Sequence, residues 1–197
     1  MANISNLDRK FYTNGINPQH TLETFDEDGN VNMLVEIPMG TINKYEYVTE
    51  ANIIKLDRVN PAKMPYVVEY GLLPKTWDKD NDLLDVMSLI NYPTFPGCLI
   101  AGRVIGVLYF VDGGEIDDKI MVVPADDYHF KNVKSIEDMS EAKKLEIEFF
   151  WKHYKDVLSN LKIKQISTEI KGWGNVDDAI KIIKEAQDLY KEKFSNI

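Results

Sequence analysis

The sequence predicts an α+β fold in which a small antiparallel β-barrel is covered by C-terminal helices. Two observations predict it. Strand-like apolar segments follow one another closely between residues 33 and 123, and the last third of the chain changes to helical spacing. A third sets the scale: 197 residues, 44% hydrophobic and 28% charged, suit one globular domain, 1–197, with residues 1–30 as its polar N-terminal segment.

Those first thirty residues are weakly patterned and end in the turn signal Asp26-Glu27-Asp28-Gly29-Asn30. Apolar and β-branched runs then predict short strands at 33–37, 45–49, 53–56, 86–90, 99–111 and 119–123. The last two flank Asp112-Gly113-Gly114-Glu115, a hairpin turn, because glycine accepts positive φ. Ser140 is a suitable N-cap for a helix over about 141–161, with Leu145, Phe149, Val157 and Leu161 among its apolar positions. A second helix starts near Asn175, where Val176, Ala179, Ile180, Ile183 and Tyr190 share a face. Between the helices, Ile163, Ile166 and Ile170 fit a short extended segment.

Composition excludes several functions. Lys and Arg number 23 against 32 Asp and Glu, a net charge of −9, so nucleic acid and anionic membranes are poor partners. The longest apolar run, 104–111, is far short of the roughly 20 residues that span a bilayer. The first ten residues lack the apolar core of a secretory signal, and the single cysteine has no internal partner. A cytoplasmic protein is expected, with Cys98 a buried, inert thiol after Pro96-Gly97. The three histidines, His20, His129 and His153, are too dispersed for a zinc set. Trp77, Trp151 and Trp173 read as packing.

The densest chemical signal is Asp78-Lys79-Asp80-Asn81-Asp82-Leu83-Leu84-Asp85, ahead of an apolar run. An acidic run of this kind is usually a solvated loop. An EF-hand fails, since Leu83 stands at the glycine position and Leu89 at the bidentate glutamate. Spacing says more. Asp80, Asp82 and Asp85, at i, i+2 and i+5 where a loop enters a strand, can converge on one point. Asp112 and Asp117 flank the glycine turn, with Lys119 on the same strand face as Asp117. Glu36 and Glu46 fall on neighbouring strands near Lys44 and Arg58. Carboxylates that hold Mg²⁺ beside cations that hold phosphate oxygens are what a metal–phosphate substrate demands.

The chain resembles the soluble family I inorganic pyrophosphatases, of the compact prokaryotic type. The resemblance rests on Val35-Glu36-Ile37-Pro38, Lys44-Tyr45-Glu46, Leu56-Asp57-Arg58, Tyr66, Glu69-Tyr70-Gly71, the D-x-D-x-x-D-V run from Asp80 to Val86, the segment 112–119, Phe150-Trp151-Lys152-His153-Tyr154-Lys155-Asp156 and Gly172-Trp173. These blocks keep one order over about residues 33–185. The resemblance implies a five-stranded barrel of the OB type with further strands, and hydrolysis of pyrophosphate to two orthophosphates. It implies several Mg²⁺ ions per site, with Mn²⁺ or Zn²⁺ as substitutes, and a homo-oligomer, a hexamer being favoured. Asp80, Asp85 and Asp117 would bind the first metal, Asp85 being shared with a second. Asp112, Asp117 and Glu36 would receive metals arriving with substrate. Lys44, Arg58, Lys119, Tyr154 and Lys155 would hold the phosphoryl groups, Tyr70 would lie near the metal-bound water, and Glu46 and Tyr66 would support them. Asp82 would be the general base.

Three positions depart from the family pattern: Leu83 replaces a usual proline, which predicts a looser loop, Gly113 a frequent acid, and Glu69 a common asparagine. Two other functions compete with the enzyme. A barrel of the OB type can be a nucleic-acid-binding module, which this acidic chain disfavours. A divalent-metal-binding protein without turnover would leave pyrophosphate intact.

Overall fold

The computed structural model describes residues 17–48, 51–161 and 167–195. Helix α1 (Pro18–Thr21), absent from the sequence expectation, is capped by Asn17, whose side chain accepts the Gln19 N–H at 3.0 Å. Strands β1 (Val31–Ile37), β2 (Asn43–Val48), β3 (Ile53–Val59), β4 (Glu69–Leu72), β5 (Asp85–Ser88), β6 (Leu99–Asp112), β7 (Glu115–Ile116) and β8 (Lys119–Pro124) follow. Then come α2 (Glu141–His153), α3 (Asp156–Asn160), β9 (Thr168–Gly174) and α4 (Val176–Lys193).

The pairings β1–β4, β4–β5, β5–β8, β8–β6 and β6–β1 close five strands into a ring. The expected barrel was antiparallel throughout. One pair, β5–β8, is instead parallel. These strands are joined by a long excursion through β6 and β7 rather than by a hairpin, so no tight turn dictates their direction. Strands β2 and β3 form a separate two-stranded sheet. The turn after β6 is as predicted: Gly113 (φ +63°) and Gly114 (φ +94°) adopt the left-handed conformation that glycine tolerates, and Asp112 pairs with Glu115.

Two apolar clusters flank the ring. One packs Tyr66, Phe110, Met121, Ile147, Phe150 and Trp151 beneath α2. The other packs Val31, Leu84, Val107 and Ile120 against Ala179, Ile183 and Ala186 of α4. Helix α4 starts after Asn175, where the sequence places it, and opens in a reciprocal capping box between Asn175 and Asp178.

The helix expected over 141–161 is broken. It ends at His153 and resumes at Asp156, with Lys155 at φ −101°, ψ −2° between the two pieces. Its buried face is Ile147, Phe150 and Trp151, while Leu145, Phe149 and Leu161 stay about 60% exposed. Residues 163 and 166 of the expected extended segment, and Thr49 at the end of the second predicted strand, lie outside the described residues; Ile170 is in β9. Cys98 is half-buried rather than buried. Among the described residues, no helix is long and apolar enough to cross a membrane.

Candidate active site

The aspartate loop hangs from the core by its leucines. Leu83 and Leu84 are buried, and the Leu84 N–H is held by the buried Thr76 hydroxyl at 3.0 Å. The loop closes through the Asp78 N–H to the Asp82 carbonyl, 2.7 Å, with Asn81 left-handed at φ +68°. Leu83 therefore anchors the loop where the family pattern led us to expect loosening. Asp85 starts β5 opposite Leu72 of β4, two residues from Tyr70, whose hydroxyl reaches it. Gly71, next to Tyr70, is required by close approach: a Cβ there would lie 2.0 Å from the Leu34 carbonyl oxygen.

At the cavity floor sits Lys119, 1% exposed. Its ammonium donates to Asp85 Oδ2 at 2.5 Å and Asp117 Oδ1 at 2.8 Å, and lies over the rings of Trp151 (4.8 Å), Tyr70 and Phe110. The Tyr70 hydroxyl donates to the same Asp85 oxygen. Burial alone would raise the Asp85 carboxyl, but Lys119 and these hydrogen bonds outweigh it and hold it low. Burial carries its neighbour Asp117 the other way, up to about 8, against the pull of Lys119 and with that of Asp85. Of the two, Asp85 is the stronger acid.

The β2–β3 hairpin brings the other cations. Register places Lys44 opposite Arg58. Asp57 lies against both, 2.5 Å from Arg58 Nη1 and 3.7 Å from Lys44 Nζ, and Lys44 also pairs with Glu46. Glu36, on β1, is buried and accepts the Tyr47 N–H at 2.5 Å. Burial lifts its carboxyl to about 8, only partly offset by that hydrogen bond. On the remaining wall, Lys155 pairs with Asp112, and Tyr154 stacks on Phe150 with centroids 5.4 Å apart. The break between α2 and α3 is what turns Lys155 inward to meet Asp112.

Every residue to which the sequence reading assigned a role lines one cavity of about 500 Å³, together with Tyr47, Lys55, Trp77 and Trp151. One geometric expectation fails. Among the described residues no three carboxylates converge as a ready metal cage. Asp82 turns its carboxylate to the Leu83 N–H, 2.8 Å, Asp80 accepts the Asp82 N–H at 3.1 Å, and Lys119 fills the gap between Asp85 and Asp117. Mutual repulsion disfavours convergence of bare carboxylates. The donor set still fits a hard divalent cation: all ligands are carboxylate oxygens, and Asp112 Oδ1 is buried without a hydrogen-bond partner.

The comparisons with known proteins agree on one family. The inorganic pyrophosphatase family model matches residues 33–191. The chain belongs to the inorganic pyrophosphatase family. An inorganic pyrophosphatase of Synechocystis sp. is 43% identical over 163 residues, covering 83% of this chain and 93% of that protein. That of Geobacillus stearothermophilus is 43% identical over 167 residues, covering 85% and 98%. In solved structures, the inorganic pyrophosphatase of Thermus thermophilus superposes with a TM-score of 0.82 at 34% identity, covering 89% of this chain and 99% of its own.

Within this pyrophosphatase the sequence reading left two contacts unassigned. Asp57, inside the quoted Leu56-Asp57-Arg58 block, touches both hairpin cations. Its signal was the acid flanked by a cation in a strand. Tyr47 reaches Glu36 through its backbone, which no side-chain pattern announces.

Proposed function

We propose that the chain hydrolyses inorganic pyrophosphate to two orthophosphates, with Mg²⁺ as its cofactor and Mn²⁺ or Zn²⁺ as substitutes. The observation that carries this reading is the single cavity in which Lys44, Arg58, Lys119 and Lys155 face Glu36, Asp80, Asp82, Asp85, Asp112 and Asp117. Asp80, Asp85 and Asp117 would hold the first ion, and Asp112 and Glu36 those that accompany substrate. Bound Mg²⁺ supplies charge neutralisation and acidifies water. Lys44 and Arg58 from the hairpin, and Lys119, Tyr154 and Lys155 from the body, hold the phosphoryl oxygens. Tyr70 and Tyr66 keep neutral hydroxyls there, because burial pushes both phenols up. Asp82 takes the proton of the attacking water, and Glu46 orients Lys44. Phosphate release from pyrophosphate at millimolar Mg²⁺ tests the reading; folded protein with no release above buffer overturns it.

The same reading takes residues 1–197 as one cytoplasmic domain, the five-stranded ring as a barrel of the OB type, and the protein as binding no nucleic acid. It also takes the chain as a homo-oligomer, a hexamer being favoured; the exposed apolar side chains Leu145, Phe149 and Leu161 supply area for such a contact. Light scattering at micromolar concentration is expected to give a multiple of 22.7 kDa. A monomer mass would contradict this.

Magnesium affinity should depend on pH. In the metal-free protein, burial first, then neighbouring carboxylates, raise Asp80 to about 6 and Asp117 to about 8, with Glu36 also near 8. Protons on these groups compete with the cation. Binding at pH 7 is therefore expected to release protons, and affinity to rise from pH 6 to pH 8. The same raised values mean that these groups favour folding most below pH 4 and oppose it increasingly toward pH 8, until metal binds. Calorimetry in buffers of differing ionisation heat measures the release; zero release at pH 7 would refute the assignment.

A further inference from the structure

We infer that Tyr47 is a positioning residue that sets the distance between the phosphate-holding hairpin and the metal-holding carboxylates. The inference rests on the roles proposed above for Lys44, Arg58 and Glu36. Among the described residues, the β2–β3 hairpin carries Lys44 and Arg58 but shares no strand pairing with the ring, so contacts other than a sheet ladder fix where those cations stand. Along β2, Lys44 and Glu46 alternate with Tyr45 and Tyr47, as a period of two requires. Tyr45 packs on the cluster beneath α2, and Tyr47 packs on Leu34, Leu72 and Leu83.

Tyr47 thus touches two parts of the site and is tied by its hydroxyl to residues outside it. Its N–H donates to Glu36 at 2.5 Å. Its side chain packs on the cluster of Leu34, Leu72 and Leu83, the last of which stands between Asp82 and Asp85. Its hydroxyl donates to Asn17 Oδ1 at 2.6 Å and lies 2.9 Å from Asn52 Oδ1. Leu83, where the family pattern has proline, is part of the apolar cluster on which Tyr47 packs. A substrate held from both sides binds more weakly when its two sets of contacts are not preorganised at the right spacing, so such a spacer acts on KM.

The test compares Tyr47→Leu, Tyr47→Phe and Lys44→Met. Tyr47→Leu keeps the backbone donor but loses the ring, and is expected to raise the KM for magnesium pyrophosphate about tenfold. Calorimetry should show binding of magnesium imidodiphosphate, a non-hydrolysed analogue, weakened by a similar factor, with kcat within about threefold of the parent. Tyr47→Phe keeps the ring and is expected to restore KM to within about threefold. A merely structural role would lower the folded fraction and hence Vmax while leaving KM and analogue affinity unchanged, and that result in Tyr47→Leu overturns the inference. Should Tyr47→Leu not fold, Leu83→Ala removes the other side of the same contact, and parental KM and analogue affinity there overturn it equally. Lys44→Met separates the two failures: if it too has the parental KM, the assignment of the phosphate site is wrong, whereas a raised KM there beside parental values in Tyr47→Leu refutes the Tyr47 inference alone.

Discussion

Asp82→Asn is expected to lower kcat by a factor on the order of 10²–10⁴, the usual worth of a general base, with little change in the Mg²⁺ requirement. The environment distinguishes Asp82 from its neighbours. Asp85 is buried beneath Lys119 and Tyr70, which hold its carboxyl low and make it a poor proton acceptor. Asp82 lines the cavity and is more exposed than Asp85; partial loss of solvation, together with the Asp85 charge, raises its carboxyl despite the Leu83 N–H. Its proton affinity is thereby moved toward the working pH, which favours a base. Asp80 and Asp117 are raised further, but in the proposed role of metal ligands they would surrender their protons to the cation. Asp85→Asn should behave differently, shifting the activity curve to higher Mg²⁺. Paired Mg²⁺ titrations of activity decide. Should Asp82→Asn regain near-parental turnover at saturating metal, Asp82 is a ligand and the base lies elsewhere.

How far this site could be read from the sequence depended on the range of the interaction. The long runs that became β6 and β8 declare themselves, because each is apolar along most of its length and bounded by a turn. Strand β4 escaped notice: its four residues, Glu69-Tyr70-Gly71-Leu72, include a charge and a glycine, yet all are buried. What buries Glu69 is distant, a hydrogen bond from the Thr94 N–H at 2.8 Å. The helix break at Tyr154-Lys155 was likewise hidden, since no proline or glycine marks it and apolar residues continue beyond it at helical spacing. Its visible partner is Asp112, more than forty residues away in sequence. The aspartate spacing could be read locally, but Lys44 and Arg58 look like ordinary strand-edge charges until the family resemblance or the pairing register sets them side by side. The parallel β5–β8 pairing has no local signature at all.

Lys119→Met should be the most damaging change to the metal-free protein. The ammonium is buried, held 2.5 and 2.8 Å from two carboxylates, and surrounded by three aromatic rings. Methionine retains the apolar stem but leaves Asp85 without its cation. Stranding one member of a buried pair costs about 3–5 kcal/mol. The protein can escape part of that only by protonating Asp85, and keeping a proton at pH 7 on a carboxyl whose ordinary value is 3.8 costs about 4 kcal/mol, so the two estimates agree. For a protein of this length that is a fall in Tm of about 10 °C. The sign with pH follows from linkage. In the parent, the lowered Asp85 favours folding above pH 4, and that contribution is lost on acidification; in the variant the same group is raised and opposes folding above pH 4. The stability gap should therefore be narrower near pH 4.5, where the variant's raised Asp85 is largely protonated, than at pH 7.5. The parent's own contribution from Asp85 persists at pH 4.5 and is lost only below pH 4. Millimolar Mg²⁺ should close most of the gap, because a cation that Asp85 and Asp117 would hold would supply the missing positive charge. Thermal unfolding of chelator-treated parent and variant at the two pH values, with and without Mg²⁺, measures all of this. An equal gap at both pH values with no recovery in Mg²⁺ would mean that Lys119 stabilises the fold by packing alone, and that the two aspartates are not the metal's seat.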